Sequence, residues 1–247
     1  MSTIAIGDIH GNLRALNHLL FLLSKELGPD DTIVFLSDII DGYPESKGCI
    51  ERILQFQEES SSKVISIAGN HEEWFIQTMK DPTKHSWILS MKGLSTIGSY
   101  SKSAELSLRE EMQRIGPPLI IDSLPLDYSL FFREVPQSHK EYFKRMVDFH
   151  RTESVVFVHG GVSVAYSAVE NEEGHSLRWG HNEFPDDYRG PDTIIYGHWS
   201  GKAVLSDGVP NPYEKNNTIC LGTIKYGVLT AVRMPDRKLF QSNRYLY

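Results

Sequence analysis

The stretch Gly7-Asp8-Ile9-His10-Gly11-Asn12 (GDIHGN) closes a short β-branched run, TIAIG (3–7). An acid and an imidazole two residues apart, bracketed by glycines, can both reach one point past a tight bend, because the glycines let the backbone approach closely. The same kind of ending recurs. TIVFLS (32–37), KVISIAG (63–69), SVVFVHG (154–160) and DTIIYGH (192–198) also read as buried strands. They end in Asp38, with Asp41 three residues on, in Asn70 and His71, in His159 and in His198. Ligands of open α/β sheets gather at the carboxyl ends of strands, so endings far apart in the chain can converge. A single histidine after a strand is more often a packing residue, and an aspartate there is commonly a helix N-cap. The joint pattern argues for metal ligation. His18, His85, His139, His150 and His175 have no such context and read as surface or packing histidines.

Helical patterns separate the early strands. Leu13, Leu16, Leu20, Leu23 and Leu27 give one apolar face, which Gly28-Pro29 is expected to stop. A second helix is expected over 45–56. Alternating strands and helices predict parallel strands with helical crossovers. The stretch 74–116 reads as a helical and irregular cap on a single domain spanning 1–247. In the tail, KAVLS, NTICLG, YGVLTAVRM and KLFQSN, with turns at Asp207-Gly208 and Pro235-Asp236, predict an antiparallel meander.

Bulk properties narrow the function. A net charge of −7 over 247 residues, with no long basic run, argues against nucleic acid as the main partner. The N-terminus shows no signal peptide, and the apolar runs are too short to span a bilayer, so no membrane partner and a cytoplasmic location are expected. The two cysteines, Cys49 and Cys220, sit in apolar surroundings and read as buried thiols.

Asp8, His10, Asp38, Asn70, His159 and His198 together supply roughly two negative charges, so two divalent ions would leave a positive excess that attracts phosphate. Mixed nitrogen and oxygen ligation suits Mn, with Fe, Zn or Co as alternatives, better than Mg or Ca.

GDIHG (7–11), SDIIDG (37–42), GNHE (69–72), HGG (159–161) and YGH (196–198) occur in an order that resembles the calcineurin-like metallophosphoesterases. The chain is most similar to their bacterial and phage serine/threonine protein phosphatase group, near the diadenosine tetraphosphatases. The resemblance implies a four-layer αββα sandwich of two mixed β-sheets with a dinuclear centre. It implies that Asp8 and His10 hold the first metal, that Asp38 bridges both, and that Asn70, His159 and His198 complete the second. His71 would protonate the leaving oxygen, with Asp41 fixing and charging its imidazole; a carboxylate partner raises a histidine's pKa toward that task. The other reading of Asp41 is a turn or helix-cap residue.

The sequence departs from the family pattern in places. Gly42-Tyr43 stands where the family usually has Arg-Gly, and Leu177-Arg178-Trp179-Gly180-His181 places its arginine before the Trp rather than after it. Those family arginines clamp phosphoryl oxygens. Arg178, His181 and Lys92 are candidates to replace their charge, and Tyr43 is a candidate to lie against substrate. Ser200 stands where many relatives carry a further histidine, as in the phosphoprotein phosphatase branch. The leading expectation is a phosphatase acting on phosphomonoesters through a metal-bridging hydroxide, with a phosphoprotein or a small phosphoester or nucleotide as substrate. The alternatives are a dinucleoside polyphosphate hydrolase or other phosphodiesterase, and an inactive binding module of the same fold.

Overall fold

Strand β1 (Thr3–Ile6) lies parallel to β2 (Thr32–Phe35), with Thr3 opposite Thr32, and β2 lies parallel to β3 (Lys63–Ser66). On its other side β1 pairs antiparallel with β11 (Thr230–Met234), which pairs with β12 (Lys238–Gln241). A second five-stranded sheet runs in the order β4 (Phe149–Arg151), β5 (Val155–Val158), β6 (Thr193–Tyr196), β10 (Thr218–Cys220), β9 (Tyr213–Lys215). Short strands β7 (Val204–Ser206) and β8 (Val209–Asn211) form a separate hairpin. The computed structural model describes residues 2–163, 165–199, 204–206 and 209–247, with backbone alone for 204–206. Ser200, the first residues of the KAVLS run and the expected turn at Asp207-Gly208 lie outside the described residues.

Strand alternation builds the layers. Ala5 and Val34 of the first sheet meet Phe157, Ile195 and Ile219 of the second in an inter-sheet core. On the opposite face Ile4, Ile6, Ile33 and Phe35 pack against Leu16, Leu19 and Leu20 of α1 (Leu13–Leu23) and Ile50 and Ile53 of α2 (Ser46–Glu59). Val156, Val158, Ile194 and Tyr196 face outward from the second sheet onto Leu177 of α10 (Gly174–Trp179) and the loops around Tyr166 and Phe184. The result is the four-layer αββα arrangement of two mixed sheets.

Helix α1 ends at Leu23, before the apolar spacing to Leu27 and Gly28 runs out. The Ser24 hydroxyl donates to the Phe21 carbonyl, and a turn closed by the Leu27 N–H on the Leu23 carbonyl still brings Leu27 against the core. Gly28 instead ties its N–H to Asp31 at the entry to β2. Helical structure continues from α3 (Asn70–Lys80) through α4 (Ser86–Ser90), α5 (Gly93–Tyr100), α6 (Lys102–Ile115), α7 (Pro118–Ile121) and α8 (Ser129–Glu134) to α9 (Gln137–Arg145). Phe75, Trp87, Ile97, Leu108 and Phe131 join the same core as α1 and α2.

The tail is not one meander. β11 and β12 form the expected hairpin, but β10 lies parallel to β6 in the other sheet. Thr218, Ile219 and Cys220 are buried on both faces, as an interior strand requires, and strand-like sequence does not say which sheet a strand joins. Cys49 and Cys220 are buried thiols. Among the described residues, no helix is long and apolar enough to cross a membrane.

Candidate metal centre

The bends after β1, β2, β3 and β6 line one cavity of about 580 Å³, and His159, after β5, is fully buried against Asp38 and Asn70. The floor of the cavity is Asp38. The Asp38 Oδ2 atom lies 3.8 Å from His10 Nε2, 3.8 Å from His71 Nε2 and 3.2 Å from His159 Nε2. Two groups of ligand atoms share it: His10, Asp38 and His71 on one side, and Asp38, His159 and His198 on the other. Asn70 belongs with the second, its Oδ1 being 2.9 Å from His159 Nε2 and 3.0 Å from His198 Nδ1. Asp8 lies behind, accepting the His198 N–H at 2.8 Å through Oδ2.

The backbone is bent hard to bring these groups together. His10, Asp38, Asp41 and His198 all have positive φ, between 45° and 70°, a region that non-glycine residues enter at a cost of about 1–3 kcal/mol each. Two glycines make room. A Cβ at Gly69 would fall 2.2 Å from Asp38 Oδ1, and one at Gly197 would fall 2.1 Å from Asp8 Oδ1. The N–H of His71, in the first turn of α3, donates to Asp38 Oδ1 at 3.2 Å, where the helix dipole favours a negative charge.

These residues fit divalent cations. Asp8 Oδ1 is buried with no hydrogen-bond partner among the described residues, and burial pushes the Asp8 carboxyl well up, which a cation would offset. His159 Nδ1 is 2.8 Å from the Leu36 carbonyl and His10 Nδ1 is 3.3 Å from that of Ile40. Those carbonyls are placed to accept a proton from Nδ1, as outer partners of ligating histidines are; burial opposes a charge on His159, but the Asp38 carboxylate prevails and raises its pKa to about 10. Burial, reinforced by His71, lowers the His10 pKa to about 4; burial, reinforced by His159, does the same for His198. Both are neutral imidazoles at pH 7, able to ligate. Burial raises Asp38, but His159 and His71 outweigh it and keep the carboxylate well below its usual range.

His71 and Asp41 form a separate pair, with Nδ1 to Oδ2 at 2.7 Å. The buried Asp41 carboxylate also accepts the Trp87 indole N–H at 2.9 Å and the Thr96 hydroxyl at 2.6 Å. Burial opposes a charge on His71, but the Asp38 carboxylate and the Asp41 bond prevail and raise its pKa to about 9.

Glu72, quoted within GNHE but given no role by sequence reasoning, holds the β2 bend in shape. Its Oε2 accepts the Ser37 hydroxyl and the N–H groups of Asp38 and Gly69, and its Oε1 accepts the Ile39 N–H at 2.8 Å. Glu72→Gln turns an acceptor toward donors. We expect a loss of about 1–3 kcal/mol, seen as a lower urea midpoint at unchanged slope.

Of the four residues expected to meet substrate, Tyr43 and Lys92 line the cavity and Arg178 and His181 do not. The Arg178 guanidinium bonds Glu73 at 3.1 Å and Asp148 at 2.6 Å. Lys225, which is not among the four, lines the cavity as well, and neither Lys92 nor Lys225 has a carboxylate within 4.0 Å among the described residues.

Two sheets packed face to face, with Asp, His and Asn gathered at strand ends around one shared carboxylate, define a metallophosphoesterase. The chain belongs to the calcineurin-like phosphoesterase family, whose sequence profile matches residues 1–202. It is 27% identical over 246 residues to an asymmetrical bis(5'-nucleosyl)-tetraphosphatase of Oceanobacillus iheyensis, covering 94% of this chain and 88% of that one. It is 22% identical over 279 residues to a symmetrical bis(5'-nucleosyl)-tetraphosphatase of Proteus mirabilis, covering 97% of each. Its fold is similar to that of a putative diadenosine tetraphosphatase (TM-score 0.63, 17% identity, covering 100% of this chain and 95% of that one). It is also similar in fold to a protein serine/threonine phosphatase from Saccharomyces cerevisiae (TM-score 0.52, 14% identity, covering 100% and 81%).

Proposed function

We propose that this metallophosphoesterase hydrolyses dinucleoside polyphosphates, with two divalent ions, Mn first among them, as cofactors. The observation that carries the metal chemistry is Asp38, one buried carboxylate shared by two groups of ring nitrogens. Both tetraphosphatases named above align with nearly the whole chain, which favours the dinucleotide over the phosphoprotein expected first. Ser200 in place of a histidine favours the phosphomonoester reading, which stands second. The full set of potential ligands disfavours an inactive binding module.

Asp8, His10 and Asp38 would hold one ion, and Asp38, Asn70, His159 and His198 the other. Bound there, the ions supply a water of lowered pKa and neutralise charge growing on the phosphoryl group. The protein's own groups do the rest. Asp41, fixed by Trp87 and Thr96, holds the His71 ring by Nδ1 and keeps it charged, so that Nε2 presents a proton to the departing oxygen. Lys92 and Lys225 draw the anionic substrate to the rim, and Tyr43 offers an aromatic face for a base.

Chelation followed by addition of Mn tests this reading. The stripped protein should be inactive on diadenosine tetraphosphate, a phosphopeptide and p-nitrophenyl phosphate. Added Mn should restore activity, with kcat/KM highest on the dinucleotide. Full activity after verified metal removal would overturn the mechanism, and a preference for the phosphopeptide would overturn the substrate.

A further inference from the structure

The cavity over the metal centre does not end at its rim. A second cavity of about 460 Å³ adjoins it, between the bend after β2 and helices α5 and α6. Both cavities are lined by Gly42 and Lys92, which therefore form the saddle between them. Gly42 occupies the place where the family usually carries an arginine. Its φ is +85°, and a Cβ there would lie 3.1 Å from the His10 Cβ and 3.2 Å from the His10 carbonyl oxygen. The backbone at this position disfavours a side chain, and glycine keeps the contact with His10 free of one.

The second cavity carries an excess of positive charge. Lys102 and Arg109 face it, and both pair with a single carboxylate, Glu105, at 2.5 Å and 2.8 Å. Lys92 at the saddle has no carboxylate partner among the described residues. Three cations thus stand against one anion, on a chain whose net charge is −7. The Gly98 backbone abuts Glu105, where a Cβ would lie 2.4 Å from Oε2, so the carboxylate is fixed at the wall of the groove with its two cations toward solvent. Such a groove draws anions, and it adjoins the cavity over Asp38 at Gly42 and Lys92.

We propose that the substrate lies across Gly42, and that the second cavity receives the distal anionic part of an extended polyphosphate ester whose scissile phosphoryl group sits at Asp38. Lys92 meets the chain at the saddle, and Lys102 and Arg109 meet its far end. Specificity for long over short phosphoesters then comes from this groove. The inference rests on the phosphoesterase reading above.

The double variant Lys102→Gln/Arg109→Gln tests it, because each amide can still donate to Glu105 while two charges are lost. With Mn present, KM for diadenosine tetraphosphate should rise about five- to tenfold, with kcat/KM on p-nitrophenyl phosphate within about twofold of the parent. The single variant Lys102→Gln alters an exposed side chain and guards against misfolding of the double; its KM for the dinucleotide should rise about two- to threefold. An unchanged KM for the dinucleotide, or equal changes on both substrates, overturns the groove while leaving the phosphoesterase reading intact. So does a wild-type protein that cleaves p-nitrophenyl phosphate but not the dinucleotide, or variants that weaken a phosphopeptide and spare the dinucleotide. A wild-type protein that cleaves none of these with Mn overturns both.

Discussion

Replacing His71 by glutamine should lower kcat on an alkyl phosphoester such as a phosphoserine peptide by about 10²–10⁴-fold, the range for losing a positioned general acid. An alkoxide is a poor leaving group and needs a proton as it departs. A nitrophenolate leaves as a stable anion, and so does a nucleotide released through a phosphate oxygen. The same variant should therefore lose much less on p-nitrophenyl phosphate and on diadenosine tetraphosphate. This contrast matters because the geometry permits a second role. His71 Nε2 lies 3.8 Å from Asp38 Oδ2, near enough to share an ion with His10. A ligand role predicts equal losses on all three substrates together with a fall in bound metal. A proton-donor role predicts unequal losses at unchanged metal content. Asp41→Asn should reproduce the unequal pattern more weakly, since beside the Asp38 carboxylate it removes the second of the two charges that hold the imidazole protonated, without removing the ring.

Asp38→Asn should reduce activity on every substrate by at least about 10³-fold and lower the metal content of the purified protein. The amide keeps the shape of the carboxylate and loses its charge. Asp38 faces His10, His71 and His159 at once, so the change touches both ligand groups together, whereas changes at Asn70 or His198 touch one. Elemental analysis beside the rate measurement separates the effects. Two ions retained per chain with activity within tenfold of the parent would show that no shared carboxylate is needed.

The residues that gather at the strand ends were legible as a group. Asp8, His10, Asp38, Asn70, His159 and His198 are polar residues placed where apolar strands stop, and that contrast is visible in one dimension. The groups that hold them are less visible. Trp87 and Thr96 reach Asp41 from separate helices, and nothing in WILS or STIG distinguishes an indole that packs from one that donates to a carboxylate. Glu72 was in plain view within GNHE, and its signal was its position three residues past a glycine at a helix start, the place of a capping side chain. Arg178 was misleading for a physical reason. An arginine beside a Trp near the site suggested a phosphate clamp, but Glu73 and Asp148, distant in sequence, bind its guanidinium. Lys225 carries no local mark at all; the loop after β10 brings it to the rim. The strands of the tail were recognisable as strands, but their division between two sheets depends on partners that a local pattern does not specify.

The reactive pocket straddles a seam. Asp8, His10, Asp38 and Asn70 follow strands of one sheet, whereas His159 and His198 follow strands of the other. Neither sheet alone therefore carries the whole candidate ligand set, and the first sheet itself takes its outer strands from the far end of the chain.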